Sequence, residues 1–513
     1  MTSQARAATP PVTGDAAMPI AERRLGRIDP LTILAALIVV ALLLRFYKLG
    51  VWNFEATEMF THRDSIVTPR PTNPRPLIYV LNYYVVRPLM TLDEFGLRFL
   101  PAVFGVLGIP ALYYSARRLA GSTAAMWSAL LLTVSALHVF YSQLARYWSA
   151  VFLFSAIYPY ALYVGIRDRD RRAVAVGLLA GLLAVLAHPV SILLVGGPAL
   201  LLLSRLRRAH LASLWRQQTV RWVLGILAIV LVAVVVRFVP ILQAWITMHD
   251  QNPGSGQFLL RAPMAFGLKQ VFYVIAYFES LSAPIALAAF AGFFLLWQRD
   301  RFLGWFIASV ALFPVLFLAL ISFRTPVSQF YLLATAPAFY LAAGVFVERL
   351  FALDWRVRPN WVLPTVVLLG MLATGTPTLV SQYRNGRRFD FRGVAQWLGP
   401  RLTPRDVIFS DQPMVLAHYL PGRQVQKLRF DTVPLRDSVA GLPDESSLWV
   451  VAPAPAHALR TNLRQGGLAA YLYGSCQMSN TVGKGRVDFR QQYLQVYRCP
   501  PRVTDEPDRQ PDS

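Results

Sequence analysis

The sequence predicts a polytopic α-helical membrane protein carrying a C-terminal extracytoplasmic α/β domain. Three observations predict it. The 513 residues are 55% apolar and only 15% charged, with a mean hydropathy of +0.44, too apolar and too charge-poor for a chain that folds in water. Apolar stretches of membrane length recur along the first three quarters. The composition then shifts near residue 384 to ordinary charge density with mixed helix-like and strand-like patterning.

Residues 1–28 are rich in Pro, Ala and Arg and lack the short apolar core of a signal peptide, so they read as a disordered cytoplasmic tail. A bilayer core of about 30 Å needs roughly 20 apolar residues in a helix. That ruler gives candidate spans near 31–49, 97–119, 122–140, 147–166, 172–187, 188–204, 222–243, 275–297, 303–322, 327–347 and 361–379, about eleven in all. The pair around His188-Pro189 also fits one bent helix.

The net charge of +23, from 50 Lys and Arg against 27 Asp and Glu, raises nucleic acid as a partner. Its placement argues otherwise. With the N-terminus inside, Arg117-Arg118, Arg167 to Arg172, Arg205 to Arg221, Arg299 with Arg301, and Arg349 to Arg358 all fall in cytoplasmic loops, where basic residues are retained. The opposite loops carry little beyond Arg146, Arg261, Lys269 and Arg324. Most of the positive charge is therefore topological, and the partners it implies are membrane lipids, with no nucleic acid. Residues 76–92 are apolar but short and interrupted by Arg87 and Pro88. As a full span they would invert every later loop, so they read as an interfacial helix inside a long first outer loop, 50–96.

Eleven spans place residues 384–500 outside the cytoplasm, in an oxidising compartment. The two cysteines, Cys476 and Cys499, are too few for a Cys-built zinc or iron–sulfur centre, and either a disulfide or two free thiols fits them. Residues 501–513, Pro-rich and charged, read as a disordered tail.

In a membrane protein, polar residues with no topological role are the informative ones. The first outer loop is densest, with Glu55, Glu58, His62, Arg63, Asp64, Arg70 and Arg75, followed by Asp93, Glu94 and Arg98. Carboxylates among arginines at a membrane surface suit a reaction that deprotonates a hydroxyl while a phosphate departs. A solvated loop of self-paired charges accounts for them as well. A second cluster, HVFYSQLARYW from His138 to Trp148, holds Arg146 among Tyr141, Gln143, Tyr147 and Trp148. An interfacial aromatic belt with one snorkelling arginine is its alternative. His188 reads as a hydrogen-bonded turn residue. No P-loop, GxGxxG, HExxH or strand-to-helix GxSxG occurs.

The order of these features resembles the GT-C superfamily, and more closely the bacterial branch of the family 39 protein mannosyltransferases and aminoarabinose-transferase-like enzymes. EFGLRFLPAVFGVLGIPALYYSARRLAG at 94–121 and SALHVFYSQLARYWSAVFLFS at 135–155 carry the resemblance. FDFRGVAQWL and DVIFSDQPMVLAHYLPG are similar to the outer domain of the same group. The resemblance implies transfer of a sugar from a polyprenyl-phosphate donor to a hydroxyl of a glycan, glycolipid or protein acceptor at the outer face of the inner membrane, usually with inversion. It implies an acid of the first outer loop as base and arginines at outer span ends for the phosphate. On this basis the catalytic candidates are Glu55, then Glu58 or Asp64. The phosphate candidates are Arg63, Arg75, Arg146 and Arg324, and His62, Tyr141, Gln143 and Tyr147 line the substrate cleft. No cofactor is expected, with a divalent ion left open.

The sequence departs from the family pattern at the chemistry. Trp-x-Asp-Glu-Ala reads Trp52-Asn53-Phe54-Glu55-Ala56, His-Pro-Pro reads Pro74-Arg75-Pro76, and the glutamate of Ser-Gln-Glu-Ala-Arg is Leu144. A late Arg-Tyr pair appears as Phe330-Tyr331. Two other readings therefore stand beside the enzyme: a catalytically inactive relative serving as scaffold in a polysaccharide machine, and a transporter of lipid-linked glycans.

Overall fold

The computed structural model describes residues 29–205 except 70–72 and 74, then 268–322, 329–355, 359–428, 446–454, 476–483 and 493–499, with a few isolated positions between. Among these residues, five helices are long and apolar enough to cross a membrane, seven if each of two bent pairs counts as one span. The expected span at 222–243 lies outside the described residues, as do both expected disordered tails.

Helix α1 (Pro30–Phe46) opens the bundle. The first loop then carries α2 (Ala56–Ile66) and α3 (Pro76–Leu81), which runs into a π-helical turn at Asn82–Val86. α4 (Glu94–Ala120) is the longest described helix, and the Asp93 side chain caps it by accepting the Gly96 N–H at 2.8 Å.

The third expected span, 122–140, is broken. α5 (Ser122–Thr133) and α6 (Ala136–Ser142) meet at 62°. A break inside a membrane helix strands carbonyls that must find donors. Arg45, fully buried near the end of α1, supplies them: Nη2 donates to Leu132 O at 3.3 Å and Nη1 to Thr133 O at 3.1 Å, and Nη2 meets His138 Nδ1 at 2.8 Å. The arginine that closes α1 is therefore spent on the kink.

The bundle continues through α7 (Trp148–Ser155), α8 (Tyr158–Arg167), α9 (Arg171–Ala187) and α10 (Leu193–Arg205). His188 is extended, at φ −160° and ψ 129°, so α9 and α10 are separate helices and the single bent helix is not formed. After the undescribed stretch come α11 (Leu268–Leu281), α12 (Ala283–Arg299), α13 (Arg301–Ser322), α14 (Ala336–Ala352), α15 (Val362–Ala373) and α16 (Thr376–Asn385). α14 is the buried axis of this half. Gly292 of α12 lies where an added Cβ would meet Ala342 O at 1.8 Å, and Gly344 where one would meet Ser128 Oγ at 2.1 Å. Backbones that close tolerate only glycine, as in other membrane helix pairs.

Beyond α16, the chain builds an open sheet in the order β2-β1-β3-β5-β4. β1 (Val407–Ser410) is parallel to β2 (Val425–Lys427) and β3 (Leu448–Ala454). β5 (Tyr493–Cys499) runs antiparallel between β3 and β4 (Gln477–Gly483). α17 (Phe391–Leu398) and α18 (Pro413–Tyr419) pack on the sheet, and Cys476 and Cys499 are disulfide-bonded. One core joins this unit to the first loop: Phe54, Met59, Leu97 and Ala145 pack with Phe391, Val394, Leu416 and Trp449.

Candidate active site

The first loop is held by one buried ion pair. Glu58, at the third position of α2, has no exposure. Its Oε1 accepts Arg98 Nε at 2.9 Å and Ala145 N–H at 2.7 Å, and its Oε2 accepts Arg98 Nη2 at 2.8 Å and Glu55 N–H at 2.9 Å. Arg388 adds a longer contact at 3.4 Å. Arg98 spends its remaining donors on the carbonyls of Leu49, Trp52 and Asn53. Burial alone would raise the Glu58 carboxyl; the guanidiniums of Arg388 and Arg98 and the Ala145 N–H overcome it and hold the group at about 2.

Glu55 sits one turn away in a different environment. It occupies the N-cap position of α2, half-buried, where its side chain accepts the Glu58 N–H in a capping box and the Thr57 hydroxyl at 3.2 Å. Burial raises its pKa, the neighbouring charge of Glu58 adds to that, and Arg388 and Arg146 oppose. Tyr141 lies within electrostatic reach of its carboxylate.

Two arginines converge beside it. Arg75 Nη1 donates to the Tyr147 hydroxyl at 2.5 Å and Arg146 Nη2 to the same oxygen at 3.1 Å. Arg146 Nη1 reaches Thr57 O at 3.0 Å and Thr61 Oγ1 at 3.1 Å, which fixes it to the turn that carries Glu55. Its buried Nε has no partner among the described residues. Two cations sharing one neutral oxygen repel each other unless an anion completes the set. Around them stand the rings of Tyr147, Trp148 and Tyr331 against His188, with centroids 5.0, 5.0 and 5.6 Å away.

A cavity of about 450 Å³ opens beside Tyr141, lined also by Glu279, Ser280, Gln329, Phe330 and Arg387 among others. Phe330 packs on Trp148 at 4.9 Å. Aromatic faces with convergent polar groups suit a sugar ring.

The structure thus brings together Glu55, Arg75, Arg146, Tyr141 and Tyr147. It separates the others. Glu58 is locked in its ion pair. Arg63 and Asp64 pair with each other at 2.9 Å, Arg63 exposed and Asp64 half-buried. Gln143, expected to line the cleft, is 1% exposed. Its amide donates to the carbonyls of Leu44, Arg45 and Tyr47, closing the end of α1, and its oxygen accepts from Gln382 at 2.7 Å. His62 instead stacks with Phe54 and with His418 of α18, at 5.6 and 5.1 Å. Arg324 lies outside the described residues. No group of three or more His, Cys, Asp or Glu with metal-ligating geometry occurs among the described residues.

Sequence reasoning missed Arg388, which lies in the run joining the bundle to the α/β unit and reads there as ordinary linker charge. It placed His188 in a turn, correctly as far as the bond of Val190 N–H to Nδ1 goes, but not beside the arginines. Tyr331 had a signal only through the late Arg-Tyr pattern.

No protein-family model matches the chain, and no curated protein matches it in sequence. Solved structures do. ArnT from Cupriavidus metallidurans in the apo state is 18% identical, covers 91% of this chain and 98% of its own, and superposes with a TM-score of 0.57. The same protein bound to undecaprenyl phosphate gives 17%, 90% and 97%, and 0.55. The oligosaccharyltransferase of Archaeoglobus fulgidus in the apo form gives 12%, 80% and 65%, and 0.51. The chain therefore shares the fold of these solved structures.

Proposed function

We propose that this protein is an inverting glycosyltransferase that moves a sugar from a polyprenyl-phosphate donor to a hydroxyl of a cell-envelope glycan, glycolipid or protein at the outer face of the inner membrane. The N-terminus is then cytoplasmic, the α/β unit extracytoplasmic, and the span count eleven. The observation that carries the reading is the adjacency of Glu55, a half-buried carboxyl with raised basicity, to the Arg75 and Arg146 pair on Tyr147. The neighbouring fold that binds undecaprenyl phosphate supports a phosphate-bearing lipid as the ligand of that pair.

In this mechanism the acceptor hydroxyl loses its proton to Glu55 as its oxygen attacks the anomeric carbon. The bond from that carbon to the donor phosphate oxygen breaks on the opposite face. The electron pair leaves with the polyprenyl phosphate, whose charge Arg75 and Arg146 stabilise. Glu58 and Asp64 drop behind Glu55 as bases. A carboxylate held at about 2 and saturated by donors abstracts protons poorly, and Asp64 is tied to Arg63.

The inactive-relative reading has one observation in its favour. Phe54, where the family pattern has aspartate, is fully buried beneath His62 and His418. The two readings separate in one assay, transfer of labelled sugar from a short polyprenyl-phosphate donor by the purified full chain. Glu55→Gln is expected to lower transfer by about 10²- to 10⁴-fold, and Arg75→Gln to weaken donor binding. No transfer by the wild type with any such donor favours the scaffold, and undiminished transfer by Glu55→Gln removes Glu55 as base.

A further inference from the structure

A second polar cavity, of about 230 Å³, lies at the seam between the first loop and the α/β unit. Its lining includes Trp52, Arg384, Arg388, Asp390, Arg392 and Gln396, none of which belongs to the Tyr147 cluster. Three guanidiniums face one carboxylate. Asp390 already accepts the Gly393 N–H at 2.8 Å as the cap of α17, and Arg392 is paired with Glu94. The excess positive charge therefore belongs to Arg384, which is exposed, and to Arg388.

Arg388 is the unusual member. It is 5% exposed, yet its Nε and Nη1 have no hydrogen-bond partner among the described residues. Only Nη2 is engaged, with Gln143 O at 3.1 Å and Glu58 Oε1 at 3.4 Å. Trp52 Nε1 is also buried without a partner. Buried donors left unpaired are costly, and here three of them belong to two residues lining one cation-rich cavity. An incoming anion satisfies all of these groups together.

We infer that this cavity is a second anion site, distinct from the Tyr147 cluster, and that it takes a phosphate or carboxylate group carried by the acceptor. Arg388 gives the reason for the acceptor, because it lines this cavity and also stands within electrostatic reach of Glu55. An acidic group held here brings its hydroxyl-bearing neighbour toward the base. The acceptor assignment rests on the proposed function; the anion site does not.

The test is a calorimetric titration of the purified full chain with inorganic phosphate, in the wild type, Arg75→Gln, Arg384→Glu and Trp52→Phe. The wild type is expected to show two classes of site. Arg75→Gln should lose the class at Tyr147 and keep the other. Arg384→Glu, a reversal of an exposed charge, should weaken the retained class at least tenfold, and Trp52→Phe, which removes one donor and keeps the ring, should weaken it about threefold. If Arg384→Glu leaves the titration of the Arg75→Gln chain unchanged, the second site does not exist. If instead Arg75→Gln changes nothing, the donor-phosphate reading fails and the seam site stands.

Two competitors then identify the source. Glucuronate displacing phosphate from the Arg384-dependent class, with glucose inert, indicates an acidic glycan. Loss of that class in nanodiscs containing phosphatidylglycerol, but not in phosphatidylcholine alone, indicates a lipid headgroup. Neither competitor acting overturns the acceptor assignment.

Discussion

Replacing Glu58 by glutamine should release the first loop without touching Glu55, the proposed base. The substitution removes the only carboxylate bonded to Arg98 and Arg388 among the described residues, those arginines being 0% and 5% exposed, and turns an amide donor toward N–H groups that already donate. Breaking a buried pair from one side costs about 3–5 kcal/mol. The carboxyl itself gives a second route to the number. A shift from 4.5 to about 2 corresponds to about 3 kcal/mol at about 1.4 kcal/mol per unit. Either value raises the population of the opened loop by a factor of about 10² or more. Trypsin reads that population directly, because Arg63 and Arg87 lie in the loop and cleavage tracks the open fraction when closing is fast. The Glu58→Gln chain should be cut at least 100-fold faster, while Glu55→Gln, which removes no buried charge pair, should be cut within threefold of wild type. Equal rates for Glu58→Gln and wild type would refute the assignment of Glu58 as the tie of the loop. The pH dependence has a definite sign. A depressed carboxyl contributes fully above its unfolded value and loses that contribution as pH falls toward 2, so a pepsin series should show the loop loosening progressively below about pH 4.5.

The remaining predictions concern other links of the argument. Because burial raises Glu55, transfer should fall with acid through a midpoint above the ordinary carboxylate value of about 4.3; a kcat/KM profile centred at or below that value counts against Glu55 as base. Restoring the family acid with Phe54→Asp should give no gain in transfer and should destabilise the α/β unit by about 2 kcal/mol or more, since a charge enters the core shared with Phe391 and Leu416; improved activity would contradict the packing argument. Cys476→Ser removes a link across a sequence separation of 23 and should cost about 3 kcal/mol, seen as a lower unfolding midpoint that reductant no longer shifts. Gly344→Leu should abolish a monodisperse peak on size-exclusion chromatography, because its side chain starts 2.1 Å from Ser128 Oγ and 2.5 Å from Ala124 O, whereas Gly370→Ala, with nothing within 4 Å, should be silent.

Legibility differed sharply between elements. α4 was readable as a span because 97–119 is a long apolar run with a basic end at Arg117-Arg118; its start at Glu94, capped by Asp93, came only from the structure. The break within 122–140 was not, since hydropathy averages over Val134 and Ser135 and carries no information about Arg45, 88 residues away. In the site, Arg146 and Tyr147 stood out as polar groups at a span end, and the resemblance singled out Glu55. Glu58 and Gln143 looked equally available in the sequence. What separates them from Glu55 and Tyr141 is who their partners are, and those partners, Arg98, Ala145, Leu44 and Gln382, come from distant segments of the chain. Arg388 was hidden for the same reason: in sequence it is one arginine of a charged linker, and only docking of the α/β unit on the first loop buries it.

Taken alone, the sequence marked out the apolar stretches of membrane length, because transfer of apolar residues is summed over local stretches and needs no fold. It also singled out the first loop and the end of the third expected span as the segments whose polar residues have no topological role. Only the tertiary structure decided which of those residues are spent and which are available. A charged group in a buried site takes its properties from the few atoms within about 4 Å. For Glu55, Glu58, Arg75 and Arg388 those atoms lie largely on other segments of the chain, brought within reach by the break at Ser135, the tie between Glu58 and Arg98, and the docking of the sheet unit over Phe54.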